Sequence, residues 1–528
     1  MYGNTKGYNN NHEFIGRVGE ADNIMCFKLK DTLTESDVER GMKAVIRDGM
    51  ASTAMVTFTG GVFLTAYALK LGASNYIIGL LAAIAPIMAL VQIPSIYLVE
   101  KIKNRKAIVV SSSLISRSFW LLVAVIPFLF PASIGIKILV IGLALHFAFG
   151  AISGTAWNPW LHDVLPQDQL GRFFAKRMIM GTIMSIVLSL VCAMYIDQWG
   201  KYFPQQELSG YSILFLLGFI AGIIGVYFIS TIPEPRMSVP EKKVAFIGML
   251  LTPFKDENFR KLMAFSGSWT FAINLAAPFF TVYMIKRLDF SISFIVGLAI
   301  ISQVTHLVFL RIWGSVTDRF SNKSVLRVSS PLFLFCILGW TFTTLPEKHM
   351  LTMPLVVLIH IFMGMSTAGI NIGSGNIGFK LAPQGKATAF LTVNNFINSL
   401  AAGLSPILGG KFADVVTRYQ LSWTLKWTGP DKTITLETLN FQSWDFFFAF
   451  AFLVGLYSMH RLAMVKEEGE VVEKIVFNEL ISETRKGIQN FTTIGGIRQM
   501  VNFPFTAFRY ISVKGRRKIS QTTRKYFR

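Results

Sequence analysis

The sequence predicts an all-α membrane protein in which twelve transmembrane helices form two parallel-repeat six-helix bundles. Three observations lead to this prediction. The chain of 528 residues is 52% hydrophobic, with 46 Phe and a mean hydropathy of +0.49, which is far from the average of soluble proteins. It contains apolar runs long enough to cross the hydrocarbon layer of a bilayer. Its two halves also share a pattern at an offset of about 218 residues, which indicates a parallel repeat.

The predicted spans are separated by more polar connections. They lie near residues 48–70, 75–100, 107–130, 134–157, 173–195, 210–232, 261–285, 292–317, 324–345, 351–374, 386–417 and 442–463. The first six make up an N-terminal bundle over residues 48–232, and the last six make up a C-terminal bundle over residues 261–464. The eleventh run is unusually long, and we expect its helix to break before its end.

Residues 1–47 are predicted to form a cytoplasmic tail that contains one short helix. The segment begins polar and rich in Asn, without an early apolar core. Ser36 and Glu39 then stand at the spacing of a capping box, and apolar residues follow at helical intervals from Val38 to Ile46. We therefore expect this helix to lie on the inner membrane surface ahead of the first span.

Two connections between spans are longer than simple turns. The segment 233–260, rich in Pro and Lys, is predicted to be a cytoplasmic linker between the two bundles. Residues 418–441 contain the turn signal Gly429-Pro430-Asp431, followed by alternating polar and apolar residues. This pattern predicts a β-hairpin over the extracellular mouth or, as the alternative, an ordered loop.

The segment 465–528 is predicted to be a basic cytoplasmic tail. Residues 509–528 contain eight Lys or Arg and no acidic residue. Aromatic residues such as Phe505 and Phe508 precede or enter this stretch. We expect the tail either to contact anionic lipid headgroups at the membrane surface or to be a disordered basic extension.

The distribution of basic residues predicts the orientation of the chain. Placing both termini in the cytoplasm assigns most of the 51 Lys and Arg residues to the cytoplasmic side, in agreement with the positive-inside rule. The net charge of +21 is then explained by topology, so it does not indicate a nucleic-acid partner. The expected location is the plasma (cell inner) membrane.

The repeated pattern is a charged loop between two apolar spans. The second copy runs from Gly314 to Lys323 and contains Asp318-Arg319, while the first contains Glu100-Lys101 and Arg105. Both copies have the order acid, base, two spacers, Asn and base. A loop that recurs in this way marks the same position in each half of the predicted repeat.

These loops resemble the signature loop of the major facilitator superfamily of secondary transporters, G-x-x-x-D-R/K-x-G-R/K-R/K, which follows the second helix of that fold and has a weaker copy after the eighth. The second copy here keeps the better match, at Gly314, Asp318, Arg319 and Lys323. In the first copy, Ile96 and Lys103 replace the family glycines. The resemblance covers roughly residues 48–464 and implies a transporter that works by alternating access between two bundles.

By the same resemblance, the charged loops would act as conformational latches. An acid at the end of a span can accept hydrogen bonds from the N-terminus of a neighbouring helix, and adjacent bases can pair with acids or headgroups. A loop after the fourth span, similar to the family's D-x-x-P, would add a state-dependent pair of Asp163 with Arg172. The expected latch residues are Glu100, Lys101, Arg105, Asp163, Arg172, Asp318, Arg319 and Lys323. The competing interpretation is that these residues only determine topology and form turns.

Polar residues inside the predicted spans are candidates for substrate binding, because such residues are costly in a membrane. In the resembled fold, spans one, four, seven and ten line the cavity, with help from their neighbours. The candidates are His146, Trp269, Asn274, Gln303, His306, Arg311, His360, Asn371 and Asn395. Amides, aromatic rings and one buried cation suit an organic solute with a polar or anionic group. The alternative is that many of them hold helices together.

Two observations concern charged residues within the predicted spans. Arg117, in the third span, is expected to have a structural partner, because this helix is peripheral in the resembled fold. No Asp or Glu lies near the middle of a predicted span, so proton coupling would need a histidine or a carboxylate at a span end. The sequence is therefore compatible with transport that is coupled to an ion and with transport that is not.

The sequence contains no phosphate-binding G-x-x-x-x-G-K-S/T, no H-E-x-x-H and no Cys cluster with metal spacing. We therefore predict no enzymatic activity, no cofactor and no metal site. The predicted function is secondary active or facilitative transport of a small organic solute across the lipid bilayer. The alternatives are a drug or lipid exporter of the same fold, and a non-transporting membrane receptor that signals through its C-terminal tail.

Overall fold

The computed structural model describes residues 29–166, 170–237, 251–344, 348–416, 418–430, 432–442 and 444–492. Its helices are α1 (Glu35–Thr59), α2 (Gly61–Lys70), α3 (Asn75–Ala89), α4 (Gln92–Ile102), α5 (Arg105–Leu129), α6 (Ala132–Val164), α7 (Leu170–Tyr202), α8 (Glu207–Ser230), α9 (Glu257–Lys286), α10 (Ile292–Arg319), α11 (Asn322–Gly339), α12 (Thr352–Leu381), α13 (Ala387–Val416), α14 (Trp444–Met464) and α15 (Glu473–Thr492). Its strands are β1 (Leu29–Lys30), β2 (Glu234–Pro235), β3 (Gln420–Thr428) and β4 (Thr433–Gln442). The middle of the predicted linker, and the basic part of the predicted tail with its expected lipid contact, lie outside the described residues.

In the described part of the chain, eleven segments are long and apolar enough to cross a membrane. They are α1 with α2, α3 with α4, each helix from α5 to α12, and α14. The remaining predicted span is α13, a helix of 30 residues in which Asn394, Asn395 and Asn398 lower the hydropathy. It packs against α3 and α9. The predicted all-α membrane fold is therefore confirmed, with eleven spans assigned by composition and α13 by its packing.

The first span begins earlier than predicted, because α1 continues without a break through the proposed surface helix. Its capping box is formed by Thr34, whose hydroxyl accepts from the Asp37 N–H and whose own N–H donates to the Asp37 carboxylate. The predicted box at Ser36 and Glu39 is therefore wrong. Asp37 is held in place by Lys30 at 2.7 Å, which favours the earlier start.

A break between α1 and α2 divides the first span. Gly61 has φ +55°, in the left-handed region that favours glycine, and the preceding Gly60 is extended. α1 packs against α7 and α8 of its own bundle, whereas α2 also contacts α9 and α10 of the other bundle. The break therefore lets one span contact two different sets of partners.

The predicted break in the eleventh span is wrong, because α13 is continuous over its whole length. Pro406 lies inside this helix. Glycines on either side of it allow close support from neighbouring helices: Gly403 packs on Ile87 of α3, and Gly409 packs on Leu275 of α9. Such support allows a membrane helix to contain proline without ending.

Consecutive spans run in opposite directions, so their ends form two faces. We call the face with β1, β2 and the ends of α4, α6 and α8 the linker face, because the connection between the bundles leaves from it. The opposite face, which carries β3 and β4, is the hairpin face. The two bundles meet along α3 against α13 and along α7 against α10.

The β-hairpin predicted between the last two spans is confirmed. β3 and β4 pair antiparallel, with Gln420 opposite Gln442 at one end and Thr428 opposite Thr433 at the other. The base of the hairpin is fixed to α9, where Arg287 donates to the Gln442 side chain at 2.8 Å. The hairpin therefore belongs to the C-terminal bundle.

One helix was not expected from the sequence. α15 lies within the predicted tail and packs on α10 and α11 at the linker face. Its Val476 and Leu480 join an apolar cluster with Trp313 and Val316. The helix is too polar to be recognised as a span. Its apolar stripe indicates a packed helix only when the surface of α10 and α11 that it contacts is known.

Candidate functional site

On the hairpin face, a carboxylate of one bundle caps a helix of the other. Asp414, near the end of α13, accepts hydrogen bonds from the backbone N–H groups of Asn75 (3.1 Å) and Tyr76 (2.9 Å). These groups begin α3, so the negative charge lies at the positive end of the helix dipole. The packing is equally close: a Cβ on Gly410 would lie 2.4 Å from the Asn75 carbonyl oxygen. The backbones of α13 and α3 are therefore in direct contact here.

The same contact occurs a second time along the boundary between the bundles. Asp197 of α7 accepts hydrogen bonds from the backbone N–H groups of Ile292 (3.0 Å) and Ser293 (2.8 Å), at the start of α10. Asp197 and Asp414 are 217 residues apart in the sequence, as are Asn75 and Ile292. Each bundle therefore supplies one carboxylate that caps a helix of the other, and we call these two residues the bridging carboxylates.

On the linker face, a similar cap joins elements of a single bundle. Glu234, which follows α8, accepts hydrogen bonds from the backbone N–H groups of Arg105 (2.6 Å) and Lys106 (2.9 Å), at the start of α5. The Arg105 guanidinium also donates to Asp163 of α6 at 2.7 Å. Burial raises the pKa of the Glu234 carboxyl, although the two N–H groups and Arg105 act in the opposite direction. This network ties α5, α6 and the end of α8 together.

The C-terminal bundle contains the matching cap. Glu467, which follows α14, accepts hydrogen bonds from the backbone N–H groups of Asn322 (3.2 Å) and Lys323 (2.7 Å), at the start of α11. The Lys323 ammonium donates to Glu470 at 2.6 Å. We call Glu234 and Glu467 the internal caps, because each one joins elements of its own bundle.

The internal caps establish the register of the repeat. Arg105 and Asn322 make equivalent contacts and are 217 residues apart, so the offset of 218 predicted for this loop is one residue too large. In the structural register, Lys101 and not Glu100 is the counterpart of Asp318. The first loop therefore has no acid at the family position, which explains its poor match to the pattern.

A cavity of about 700 Å³ lies between α1, α7 and α10 in the linker-face half of the molecule. It runs from Phe174, near the start of α7, to Ser185 and Gln303 at mid-helix. Its volume is in the range of small-molecule sites. The hydrogen bonds that Asp414 and Asp197 form between the two bundles lie on the hairpin face. A smaller cavity of about 360 Å³ lies on that side, between α2, α3 and α9.

A buried ion network lies against the wall of this cavity. Asp48 of α1 is 3% exposed, and it accepts hydrogen bonds from Arg117 of α5 (3.3 Å) and from Ser52 (3.0 Å). Arg117 also donates to the carbonyl of Gly222 in α8 at 2.7 Å. Arg177 of α7, which lines the cavity, approaches the other Asp48 oxygen to 3.9 Å. Arg117 thus has the structural partner expected for it, and that partner is a carboxylate within the first span.

Comparison with known proteins fits this arrangement of two bundles. A family model described as the Major Facilitator Superfamily matches residues 49–406. The chain belongs to the Major Facilitator Superfamily. It is therefore a multi-pass membrane transporter of small molecules and not an enzyme. No curated protein matches the chain.

Solved structures of similar fold are transporters of this kind. The chain is similar to a mutant of the nucleoside transporter NupG, with 16% identity and a TM-score of 0.60 over 80% of this chain and 100% of that one. A bacterial homologue of the human lysosomal transporter Spinster, inward-facing and unoccupied, has 12% identity and a TM-score of 0.52 over 87% and 99%. A bacterial homologue of the iron transporter ferroportin, in an inward-facing state, has 10% identity and a TM-score of 0.55 over 82% and 99%. At these identities the likeness shows the fold alone.

The latch residues expected from the superfamily pattern form bonds within their own bundles in this structure. Arg105 binds Asp163, and Lys323 binds Glu470. The expected pair of Asp163 with Arg172 is absent from the described residues, because Arg105 occupies Asp163 and Arg172 is exposed. The charged loops therefore brace each bundle in this state and do not hold the two bundles together.

The remaining latch residues lie at the surface of the linker face. Glu100, Lys101 and Asp318 are exposed and form no ion pair with a described residue. Arg319 pairs with Glu479 of α15, which holds this helix against the end of α10.

Four of the candidate substrate residues make packing or backbone contacts in this structure. His146 donates from its Nδ1 to the Ser116 carbonyl at 2.8 Å, between α6 and α5. His360 is buried and bonds to a carbonyl of its own helix. Trp269 is 4% exposed within the C-terminal bundle, and Asn274 donates to a carbonyl one turn earlier in α9. Of these hydrogen bonds, the one from His146 joins two helices, in line with the alternative that such residues hold helices together.

The other five candidates are accessible, and all belong to the C-terminal bundle. Gln303 lines the cavity directly. His306 lies 3.2 Å from the Asn371 side chain, which links α10 to α12. Arg311 and Asn395 are exposed on α10 and α13. The only one of these five on the wall of the described cavity is therefore Gln303. Within the described residues, no group of three or more His, Cys, Asp or Glu is placed to hold a metal ion.

Several residues that the structure places at the cavity or at the helix caps were not identified from the sequence. Asp48 and Arg177 lie beside the cavity, but Asp48 fell at the predicted edge of the first span and Arg177 at the edge of the fifth. Recognition of Thr34-Asp37 as the start of α1 would have placed Asp48 well inside a helix. The bridging carboxylates and the internal caps act on helices far away in the sequence, so no local pattern identifies them.

Proposed function

We propose that this transporter moves a small polar solute by alternating access, and that the state described above receives the solute from the cytoplasm. The observation that carries this proposal is the cavity of about 700 Å³, which reaches mid-helix, together with the hydrogen bonds that join the two bundles on the hairpin side. Its wall offers hydroxyl, amide and guanidinium groups, from Thr53, Thr182, Ser185, Gln303 and Arg177. A site between two bundles that opens to one side is what alternating access requires.

The linker face is proposed to be the cytoplasmic side of the plasma membrane. This assignment places most of the 51 Lys and Arg residues in the cytoplasm. Among the described residues, Arg105, Lys176, Lys323 and Lys380 all belong to connections or helix ends on this face. The hairpin then stands on the extracellular side, and the segment after α15 continues in the cytoplasm.

In the proposed cycle, the bridging carboxylates are the extracellular latch. Opening of the hairpin face would take Asp414 away from the start of α3 and Asp197 away from the start of α10. Both carboxylates are partly exposed, so water can replace the hydrogen bonds that they lose. Closure of the linker face would bring exposed residues such as Asp318 towards the other bundle, where the latch expected from the sequence would act.

Asp48 is the proposed residue for coupling to an ion. It is a buried carboxylate beside the cavity, and its two oxygens face different arginines, Arg117 and Arg177. If either guanidinium moved, less of the negative charge of Asp48 would be neutralised. A carboxylate placed in this way can link solute occupancy to the binding of a cation.

Site-directed labelling tests the proposal without knowledge of the solute. On a background with Cys26, Cys192 and Cys336 replaced by Ser, Ala175→Cys would report on the cavity and Thr65→Cys on the hairpin-face half. A membrane-impermeant maleimide should reach Ala175→Cys from the cytoplasmic side and should label Thr65→Cys, which is partly exposed in the smaller cavity on the hairpin side, more slowly from the outside. Adding Asp197→Asn and Asp414→Asn should raise labelling of Thr65→Cys from outside and lower that of Ala175→Cys.

Two outcomes would contradict the proposal. Labelling of Ala175→Cys only from the outer side would reverse the assigned orientation. The second outcome concerns the labelling rates of the two reporters. If these rates never changed in opposite directions, either in the latch variants or with a panel of solutes, the bundles would not alternate. Lys176→Gln, a charge removal on an exposed site of α7, controls for non-specific effects of charge.

A further inference from the structure

The cavity contains one charged side chain whose hydrogen-bonding capacity is unused. Arg177 is the only ionisable residue that lines the cavity among the described residues. Its side chain is 27% exposed, and its nearest approach to Asp48 is 3.9 Å, which is beyond hydrogen-bond distance. It forms no hydrogen bond with a described residue. A guanidinium has five N–H donors, so those of Arg177 are available to a ligand in the cavity.

Asp48 does not neutralise Arg177, because it is already committed to Arg117. One Asp48 oxygen accepts from both Arg117 and Ser52. Arg117 is further fixed by the Gly222 carbonyl at 2.7 Å and by Ser52 at 3.0 Å. The buried pair of Asp48 and Arg117 is close to neutral, so the positive charge of Arg177 remains in excess on the cavity wall.

The position of Arg177 is built into the backbone of α1. A Cβ on Gly49 would lie 2.3 Å from the Arg177 Nε and 3.2 Å from its Cδ and Cγ, so the guanidinium stem lies directly over this glycine. One turn further, a Cβ on Gly181 would lie 3.2 Å from the Thr53 hydroxyl. The two glycines allow α1 and α7 to approach, and they hold the guanidinium at the cavity surface.

We propose that Arg177 is the anion-binding residue of the transport cavity, and that the solute carries an oxyanion such as a carboxylate or a phosphate. A guanidinium binds either group with two parallel hydrogen bonds. Thr182, Ser185 and Gln303 lie deeper in the same cavity and offer neutral partners to the rest of the solute. The ligand class is therefore a small organic anion with further hydroxyl or amide groups. This inference rests on the proposed function.

Asp48 then has a second role, as the counter-ion of Arg177. When the solute leaves, Arg177 has only Asp48 as an anionic neighbour among the described residues, at 3.9 Å. The empty cavity thus retains a weak counter-ion, and an arriving oxyanion would replace this weak contact with direct hydrogen bonds. The gain on binding comes from that difference.

Matched pairs of solutes test the assignment on the purified full-length protein in detergent. Each pair differs by one charged group: glycerol 3-phosphate and glycerol, glucuronate and glucose, AMP and adenosine. A ligand of the folded state raises the melting temperature in a saturable way. We expect one anionic member to stabilise the protein, with its neutral partner at least about 10-fold weaker. The three pairs distinguish a phosphate ligand from a carboxylate ligand.

Three variants examine whether Arg177 carries this selectivity. Arg177→Gln should weaken binding of the anionic member by about 10- to 100-fold, which is the range for a charge-assisted bidentate contact. Gly49→Ala keeps every charge but displaces the Arg177 stem, so it should also weaken binding. Lys176→Gln removes the adjacent exposed charge on α7 and should leave binding unchanged. If Arg177→Gln does not fold, Gly49→Ala makes the same test.

Unchanged anion binding in both Arg177→Gln and Gly49→Ala would overturn the assignment, and so would equal binding of the neutral partner. In either case, opposite labelling of the two cysteine reporters would show that alternating access itself still stands. Absence of stabilisation by every member of the three pairs would also overturn the oxyanion assignment. If, in addition, the labelling of the two cysteine reporters never changed in opposite directions, the proposed function would be contradicted as well.

Discussion

The linker face and the hairpin face use the same contact to different effect. On both faces, a carboxylate accepts two backbone hydrogen bonds at the start of a helix, once in each half of the repeat. The internal caps, Glu234 and Glu467, are 0% and 7% exposed, whereas the bridging carboxylates, Asp197 and Asp414, are partly exposed. The internal caps join elements of one bundle, and the bridging carboxylates join two bundles. In the proposed cycle, burial therefore separates the contacts that open from those that persist.

The physical reason lies in what replaces a broken hydrogen bond. If an internal cap left its helix, both the carboxylate and the backbone N–H groups would stay buried without partners, which is strongly unfavourable. When a bridging carboxylate leaves its helix, water can hydrate both sides, so each bond to the charged acceptor costs at most about 1.5–3 kcal/mol net. Binding of a ligand and new contacts on the linker face can together offset a cost of this size.

The largest effect is expected from removal of an internal cap. Glu234→Ala would leave the N–H groups of Arg105 and Lys106 without their acceptor and would remove one anion beside the Arg105 guanidinium. We expect a loss of about 3–5 kcal/mol in the free energy of unfolding. Thermal unfolding of the purified protein measures this loss. Elution of the variant as a single species beforehand shows that it is folded.

A surface carboxylate on the same face provides the control for this experiment. Glu100→Ala removes an exposed charge and should change the free energy of unfolding by no more than about 0.5 kcal/mol. Glu467→Ala should resemble Glu234→Ala, because it caps α11 in the same way. Full stability in both cap variants would contradict the idea that burial makes these contacts permanent.

The next largest effect is expected where the two bundles touch through their backbones. In Gly410→Ala, the new Cβ would lie 2.4 Å from the Asn75 carbonyl oxygen and 2.8 Å from the Tyr76 Cα, so α3 and α13 must separate. Overpacking of this kind costs about 1–3 kcal/mol, and here the cost falls only on the closed state. Labelling of Thr65→Cys from the outside should rise accordingly.

A neighbouring glycine separates gating from stability. Gly409 faces the Leu275 carbonyl of α9, where a Cβ would lie 2.8 Å away, within the C-terminal bundle. Gly409→Ala should therefore lower the melting temperature without raising the labelling of Thr65→Cys. Increased labelling by both variants would mean that the bundle boundary has no special sensitivity.

Single bridging carboxylates should give smaller shifts. Asp414→Asn removes the charge at the start of α3 while leaving an amide oxygen, and a charge at a helix N-terminus contributes about 0.3–1 kcal/mol. We expect a shift of about 2- to 5-fold towards the open hairpin face, with Asp197→Asn equivalent by the repeat. If the two contacts are independent, the double variant shows the product of both shifts in the Thr65→Cys labelling rate. An effect from only one of them would break the symmetry of the proposed latch.

The sequence predicts elements of this fold well where the signal is local. Long apolar runs identify the spans, and Gly429-Pro430 identifies the hairpin. Local signals fail where the environment decides. α1 begins at Thr34 because Asp37 is held by Lys30, and α15 is visible only through the surface on which Trp313 lies. These failures have a common cause, since polar helices depend on tertiary partners for their stability.

The site is less predictable than the fold for the same reason. Trp269 and His360 look like ligands in a span, yet they pack inside the C-terminal bundle. Asp414 carries no local signal, because its partners Asn75 and Tyr76 are more than 300 residues away in the sequence. The repeat could have supplied this information, because an offset of 217 relates Asp414 to Asp197.

The smallest effect is expected at the exposed ion pair that anchors α15. Arg319 contacts Glu479 and Glu483, and its side chain is 51% exposed, so Arg319→Ala should cost no more than about 1 kcal/mol. The apolar contact should hold α15 in place, and Leu480→Asp should release it because it buries a charge beside Trp313. Limited proteolysis between α14 and α15 measures the difference. Equal cleavage of both variants would mean that the exposed ion pair holds this helix and would weaken the rule, drawn from the two faces, that burial determines which contacts persist.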